Sequence, residues 1–427
     1  MTPVHAPGFP EQAVRARARA GVAAVFPAEH LYGSTMFGAT PPDRPGLDVL
    51  DRMRLVPPVF MPQRLEKLID LAREPMHGDV DLDTRIGGFR SALPVYVSAF
   101  GSTQVAQADL GIAVSRQAGR LGIPLVIGEN VVPIDGYGRD DTVRKSLVGR
   151  IRAYTEAVAD GVGGVTVQQS TEDADAEVWN QLYSDPATQP LLSTGRLALE
   201  LKVGQGAKPG LGGMTLLDAD RAARVADRYA VEDLSGRGNR LRCSSPGTFT
   251  EEILRHQIRL MRNNYPQARV WLKLPPARDV QAAAITAWAA GADAVTVDGA
   301  EGGTGWAPTS FLDHVGLPLA ECLYRIGPQP SCLLVSGRMW EGTRAAKSLS
   351  LGARAVGLGR AALLAADEDP AAGLIRLVDC LALELRLIIS ALGKYATAAL
   401  DAEDVWWPSP GVHPGGDRPD PNPDPGG

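Results

Sequence analysis

The spacing of apolar residues changes character near residue 93 of this chain. Before that point, residues 11–24 and 61–73 carry apolar positions three and four apart, which predicts two short helices. Prolines at 41–45 and 57–62 interrupt them, and residues 84–90 (TRIGGFR) read as a strand leading onward. After it, short β-rich runs alternate with amphipathic stretches. The runs are 94–99 (PVYVSA), 124–128, 164–168, 197–203, 269–274, 293–298, 332–335 and 355–356. Helical spacing is predicted over 107–121, 146–160, 249–262, 280–290 and 342–351. Eight strands with intervening helices predict an α/β fold, a (β/α)8 TIM barrel, with an N-terminal extension and C-terminal helices. An open dinucleotide-binding sheet would carry GxGxxG after its first strand, and Ala99-Phe100-Gly101-Ser102 stands there instead.

The expected organisation is an extension over 1–90, a barrel over 91–392, a segment over 393–407 and a disordered Pro/Gly/Asp-rich tail over 408–427. A long excursion over 204–264 separates the fourth and fifth strands. Residues 371–392 carry an apolar stripe suited to core packing or a subunit contact, and 396–401 reads as a weaker helix.

Bulk properties narrow the function. The chain has 427 residues, 44% of them hydrophobic, enough for a large core. A net charge of −6 gives no basic field for nucleic acid. No apolar run approaches the roughly 18–20 residues needed to span a bilayer, and the N-terminus lacks the apolar core of a secretory signal. Four scattered cysteines, Cys243, Cys322, Cys332 and Cys380, read as buried thiols in a reducing cytoplasm. Six histidines without HxxH or HExxH spacing give no reason to expect a metal.

Candidate chemistry comes from the C-terminal ends of the predicted strands, where barrel active sites lie. These ends offer Ser98 and Ala99, Glu129 and Asn130, Gln168 and Gln169, Lys202 with Gln205 and Lys208, Lys273, and Asp298 with Glu301 and Thr304. Lys202 and Lys273 sit among apolar neighbours inside strands, where an ammonium group is costly without an anion. The loops 204–213 (GQGAKPGLGG) and 300–308 (AEGGTGWAP) are glycine-rich, and Gly303, Thr304, Trp306 and Lys208 are placed to meet a ligand. Two further glycine turns, Gly337-Arg338 and Gly357 to Arg360 through Gly359, follow the last two strands, the usual phosphate position in such barrels. His314 downstream reads as structural.

Residues 202–213 resemble the KxxQGAKPGxGG signature of the FMN-binding synthase domain of glutamate synthases. Residues 298–318 (DGAEGGTGWAPTSFLDHVGLP) resemble that family's GxxGGTGxxP…HxGLP segment. The resemblance covers roughly residues 84–392. It implies FMN at the barrel mouth, with phosphate at Gly337 and at Gly357 to Arg360. It implies Lys273 and Gln168 near the flavin ring, and Lys202, Gln205 and Lys208 near the flavin or a carboxylate substrate. The implied reaction is hydride transfer between flavin N5 and an amino acid, an imino acid or a related carboxylate. Ser98, Ala99, Gly303 and Arg338 complete the implied cofactor set, and Glu129, Thr304 and Trp306 the substrate set.

The chain also departs from that family. The family's iron–sulfur cysteines are missing after the last strand (GRAALLAADEDP), and the start MTPVHAP offers no glutaminase nucleophile. Trp306 replaces a smaller residue. A stand-alone enzyme of specialised metabolism, a homo-oligomer in the cytoplasm, is one expectation; a subunit fed by a separate ammonia- or electron-supplying partner is another. FMN-dependent isomerases and alpha-hydroxy-acid oxidases share the phosphate loops but not QGAKPG, and a non-catalytic FMN-binding subunit would show no turnover.

Overall fold

Runs of Val, Leu, Ile and Ala that are apolar on both faces form parallel strands covered on both sides. The computed structural model describes residues 4–39, 46–100, 108–128, 141–170, 178–227, 229–233, 238–243, 245 and 247–408. The eight predicted strands are all present. They are β1 (Val95–Val97), β2 (Leu125–Ile127), β3 (Val165–Ser170), β4 (Leu197–Lys202), β5 (Arg269–Leu274), β6 (Ala294–Asp298), β7 (Leu333–Ser336) and β8 (Ala355–Leu358). They close into one barrel in chain order, β8 pairing with β1 and β4 with β5. The helices following them are α1 (Ala108–Leu121), α2 (Asp141–Thr155), α3 (Val178–Ser184), α4 (Glu251–Asn264), α5 (Val280–Ala289), α6 (Leu319–Ile326), α7 (Gly342–Ser350) and α8 (Arg360–Glu368). A ninth, α9 (Gly373–Ala391), packs on α7, α8 and the N-terminal helix Glu11–Ala20.

Alternation along the strands divides the residues into two sets. Val97, Val165, Leu199, Val270 and Val297 turn outward into the core shared with the helices. Tyr96, Val126, Ala198, Trp271, Ala294, Leu334 and Ala355 fill the barrel interior. Toward the C-terminal mouth the interior set becomes polar, with Gln168, Glu200, Lys273, Thr296, Asp298 and Ser336 all buried.

The other end of the barrel is closed by a hairpin. Residues 84–90 were expected to be one strand, but they form two, Thr84–Ile86 and Phe89–Ser91, paired antiparallel. Gly87 (φ 53°) and Gly88 (φ 95°) make the two-residue turn, a conformation open to Gly-Gly. Ile86 and Phe89 join the interior cluster, and the Trp271 indole N–H donates to the Gly87 carbonyl at 3.0 Å. A Cβ at Gly87 would stand 2.3 Å from Trp271 Nε1. Gly87→Val combines that clash with a β-branched residue at positive φ. It should cost about 2–4 kcal/mol in denaturant unfolding, and a loss below about 1 kcal/mol would mean the hairpin does not seat on Trp271.

Three other expectations are corrected. The excursion after β4 contains a three-stranded antiparallel sheet of Met214–Leu217, Ala230–Glu232 and Arg240–Cys243, the last in the centre. Strands as short and mixed as AVE and RLRC carry too little alternation to be read. The stretch expected to be helical over 396–401 holds one 3-10 turn, Thr397–Ala399; a second, Ala402–Asp404, follows it, and Lys394 bonds Asp401 and Asp404 at 2.8 Å each. Cys322 and Cys380 are buried as expected, whereas Cys243 and Cys332 are half-buried. Among the described residues, no helix is long and apolar enough to cross a membrane.

The N-terminal segment is bound to the barrel through charge. Arg17 forks onto both carboxylate oxygens of Glu384 in α9, at 2.9 and 2.5 Å. Asp48 caps the short helix Val49–Arg52 and also accepts from Arg344 in α7. The tail beyond residue 408 lies outside the described residues.

Candidate functional site

Strand register sets which interior side chains share a level. Gln168 pairs with Glu200, Ser170 with Lys202, Lys202 with Lys273, Lys273 with Thr296, and Asp298 with Ser336. The result is a continuous polar network across the mouth. Lys273, 5% exposed, pairs with Asp298 at 2.8 Å between Nζ and Oδ2. Ser336 donates its hydroxyl to Asp298, and Ser98 stands 3.4 Å from Ser336. On the other side Gln168 donates Nε2 to Glu200, and Thr296 donates Oγ1 to it at 2.9 Å.

The lysine expected to need an anion thus has one within the protein. Glu200 is 1% exposed, and burial pushes its pKa up. The charge of Lys273 and the hydrogen bonds from Gln168 and Thr296 oppose that shift without cancelling it. Glu200 and Ser336 escaped the strand-end reading. Glu200 lies one turn of the pleat below Lys202, and its charge inside LALELK was the available signal.

A second line of polar contacts crosses the rim. Lys202 donates Nζ to Gln205 Oε1 at 3.0 Å, and Gln205 Nε2 lies 3.4 Å from Thr304 Oγ1. Lys208, 4% exposed, donates to the Trp306 carbonyl at 3.3 Å, while the Trp306 side chain stays 44% exposed. The glycines explain how two loops meet. A Cβ on Gly206 would be 2.2 Å from the Gly299 carbonyl oxygen and 3.1 Å from the Gly302 Cα, so 204–213 meets the backbone of 299–302 directly. Glu301 reaches back to accept from the Leu319 amide at 3.0 and 3.2 Å, and burial raises its pKa. His314 is exposed.

The turns after β7 and β8 form a cup. Gly337 has φ 135° and Arg338 φ 53°, which turns this loop sharply at the strand end. Gly359 is the N-cap of α8, has no side-chain cap, and a Cβ there would meet nothing within 4 Å. Arg360 donates to the Glu301 carbonyl, lies 4.7 Å from the Phe9 ring centroid, and would crowd a Cβ on Gly303. Burial, reinforced by the charge of Arg338, brings its pKa down to about 10. Arg338 is itself engaged by Asp48 and Asp51. Gly357 lies inside β8, where a Cβ would sit 2.5 Å from the Tyr96 ring, so interior packing already accounts for that glycine. Ala99 borders Gly128. Glu129 and Asn130 lie outside the described residues.

Three comparisons bear on this geometry. The family model described as "Conserved region in glutamate synthase" matches residues 158–368, from the approach to β3 through α8. It spans Gln168, Lys202, Lys273 and the cup, and leaves Ser98 and Ala99 outside. The glutamate synthase large subunit-like protein of Rhizobium meliloti (strain 1021) is 32% identical over 274 residues, 61% of this chain and 59% of that protein. The archaeal glutamate synthase [NADPH] of Methanocaldococcus jannaschii is 31% identical over 193 residues, 39% of this chain and 34% of its own length. The chain therefore spans less than two thirds of these curated relatives. Among solved structures, the recombinant flavin-binding domain of baker's yeast flavocytochrome b2 aligns with TM-score 0.53 at 18% identity, over 84% of this chain and 76% of that one. An active mutant of (S)-mandelate dehydrogenase aligns with TM-score 0.53 at 17% identity, over 93% and 99%. At such identities these two likenesses establish the barrel fold alone. The sequence matches go further: residues 158–368 of this chain match the conserved region of glutamate synthase.

Proposed function

We propose that this chain is an FMN-dependent oxidoreductase of glutamate synthase-like type, acting on an amino acid, an imino acid or a related carboxylate. The observation that carries this reading is the juxtaposition at one barrel mouth of an open anion cup and a buried lysine network. The residues fit FMN: Gly359 leaves space at the uncapped start of α8, Arg360 follows it as a cation, and the Gly337-Arg338 turn after the preceding strand supplies backbone, with Arg338 itself paired to Asp48 and Asp51. The Gly337-Arg338 turn and the first amides of α8 would hold the phosphate, with Ser98, Ala99, Gln168 and Lys273 toward the ring. Bound there, FMN supplies hydride exchange with a carbon centre bearing nitrogen or hydrogen.

The chain's own residues bind and orient the substrate. Lys202, Gln205 and Lys208 offer donors for a carboxylate along the rim, and Thr304 and Trp306 shape the entry. The buried network of Glu200, Lys273 and Asp298 lies below them and fixes the position of the Lys273 ammonium group toward the proposed ring site. A partner protein supplies electrons or ammonia, in keeping with relatives named for NADPH or ferredoxin. The chain works in the cytoplasm.

The decisive experiment is the absorption spectrum of the purified protein with identification of the released flavin, followed by an anaerobic screen of amino and oxo acids. FMN and its bleaching or reoxidation by one such acid is the expected result. FAD, or no flavin after reconstitution, overturns the reading.

The two lysines are separable. Lys273→Met should lower the flavin midpoint potential, because a positive charge that favours the reduced, more negative cofactor is gone. Lys202→Met should leave that potential nearly unchanged and weaken carboxylate binding by roughly 2–5 kcal/mol if the contact is desolvated. Redox titration and ligand titration of both variants check this pair. Unchanged potential in the first and unchanged affinity in the second would remove both roles.

A further inference from the structure

Arg150 of α2 is a cation whose surroundings differ from those of the buried Arg17 and Arg344. It is 4% exposed, yet no described carboxylate accepts from it, and its Nε is buried with no acceptor among the described residues. By contrast Arg344 has Asp48 and Asp51, and Arg17 has Glu384. Burial alone lowers the Arg150 pKa, to about 10, so the group remains a cation at neutral pH. A buried charge with no partner among the described residues is costly, and a ligand that completes it accounts for its retention.

The packing around Arg150 defines what that ligand must look like. The guanidinium lies flat on the backbone of Gly111, where a Cβ would stand 2.3 Å from Cζ and Nη2 and 2.4 Å from Nε. Phe100 lies on it as well, its ring centroid 6.0 Å from Cζ. With Gly111 close against the group, the edge of the fork is what remains for bonding. That edge presents parallel N–H donors in one plane, which matches a planar carboxylate held bidentately. Gly111 belongs to the first turn of α1, a helix of 14 residues, so the amides at its start add partial positive charge at the same place. Phe100 directly follows Ala99 at the end of β1, so the position is at the strand 1 and 2 side of the barrel, apart from the Lys202 to Lys208 line on strand 4.

We propose that Arg150, with Phe100 and the first turn of α1, forms a second anion site that takes the carboxylate of a small organic acid. The site is independent of whether FMN binds at the cup, so its test stands even if the flavoenzyme reading fails.

The test uses the full chain as purified, with glutarate as an unreactive dicarboxylate probe and inorganic phosphate as a competitor of different shape. Hydrogen exchange is followed in residues 110–118, because binding at the rim lysines would not protect that segment. Glutarate should slow exchange there in the unmodified protein, with affinity at least ~10-fold weaker in Arg150→Met and partly weakened in Arg150→Lys, which keeps the charge and loses the fork. Without ligand, Arg150→Met should melt no lower than the unmodified protein, since it removes a buried charge that has no partner among the described residues. Protection absent in the unmodified protein, or equal in Arg150→Met, overturns the site. Protection by phosphate and not by glutarate overturns the carboxylate assignment. Should Arg150→Met fail to fold, full glutarate affinity in Arg150→Lys overturns the bidentate contact.

Discussion

Gly359→Asp is expected to give a folded protein that retains little or no FMN. The substitution separates folding from cofactor binding unusually cleanly. Space for the side chain exists, because nothing lies within 4 Å of the added Cβ. Position 359 is the N-cap of α8 and lacks a side-chain cap, so a carboxylate there suits the helix end and should not lower stability. The same carboxylate would occupy the place proposed for the phosphate. Two like charges about 4 Å apart at an effective dielectric near 20 repel by about 4 kcal/mol, enough to weaken binding by roughly 10³-fold. Circular dichroism should match the parent while flavin occupancy and FMN titration show the loss. Full flavin occupancy would move the phosphate elsewhere.

Arg344→Met is expected to destabilise the chain by about 3–5 kcal/mol, because it leaves two carboxylates, Asp48 and Asp51, with Arg338 as their one remaining guanidinium partner among the described residues. Arg344 is fully buried, and its Nη1 donates to both oxygens of Asp48 at 2.9 Å and to Asp51. Its Nη2 donates to the Gly337 carbonyl at 3.3 Å, so the contact also supports the cup. Lys347 adds Nζ bonds to the carbonyls of Leu50 and Asp51 at 2.9 and 3.1 Å.

The pH dependence gives a second readout. Burial pushes the Asp48 carboxyl up, but the charge and hydrogen bonds of Arg344 outweigh it, and its folded pKa falls below the ordinary value of 3.8. A group depressed in the folded state contributes stability above its unfolded pKa and loses it as pH falls through the folded pKa. The parent should therefore lose stability below about pH 5, and Arg344→Met should lose less over that range while starting from a lower value. Urea unfolding between pH 7 and pH 3 measures both. Equal stability at pH 7 would show that the clasp between residues 48–51 and α7 carries no net energy, and flavin release from the variant would show that it also supports the cup.

Local pattern determined the barrel. Each strand is a run of apolar residues too short for a helix and bounded by glycine, proline or charge, and such runs could be placed one by one. The lysines at 202 and 273 were legible for the same reason: a charge within an apolar run must be answered by something. The two glycine-rich loops and the turn at Gly337 were legible because glycine marks close backbone approach before any partner is known.

What answers those charges was decided only in three dimensions. Asp298 lies 25 residues from Lys273, and only the β5–β6 pairing brings the two together. Glu200 was hidden because alternation alone does not say which face of a strand is the barrel interior. The Gly87-Gly88 hairpin needed Trp271 beneath it, and the N-terminal acids needed Arg338 and Arg344, nearly 300 positions away. Gly357 and Gly359 look alike in the sequence, yet Tyr96 fills the space at one and the other is open. Sequence determines where the chain can be apolar or can bend, because those are local energies. Which charge is paired and which glycine faces a ligand depends on contacts between distant segments, and those exist only once the barrel has closed.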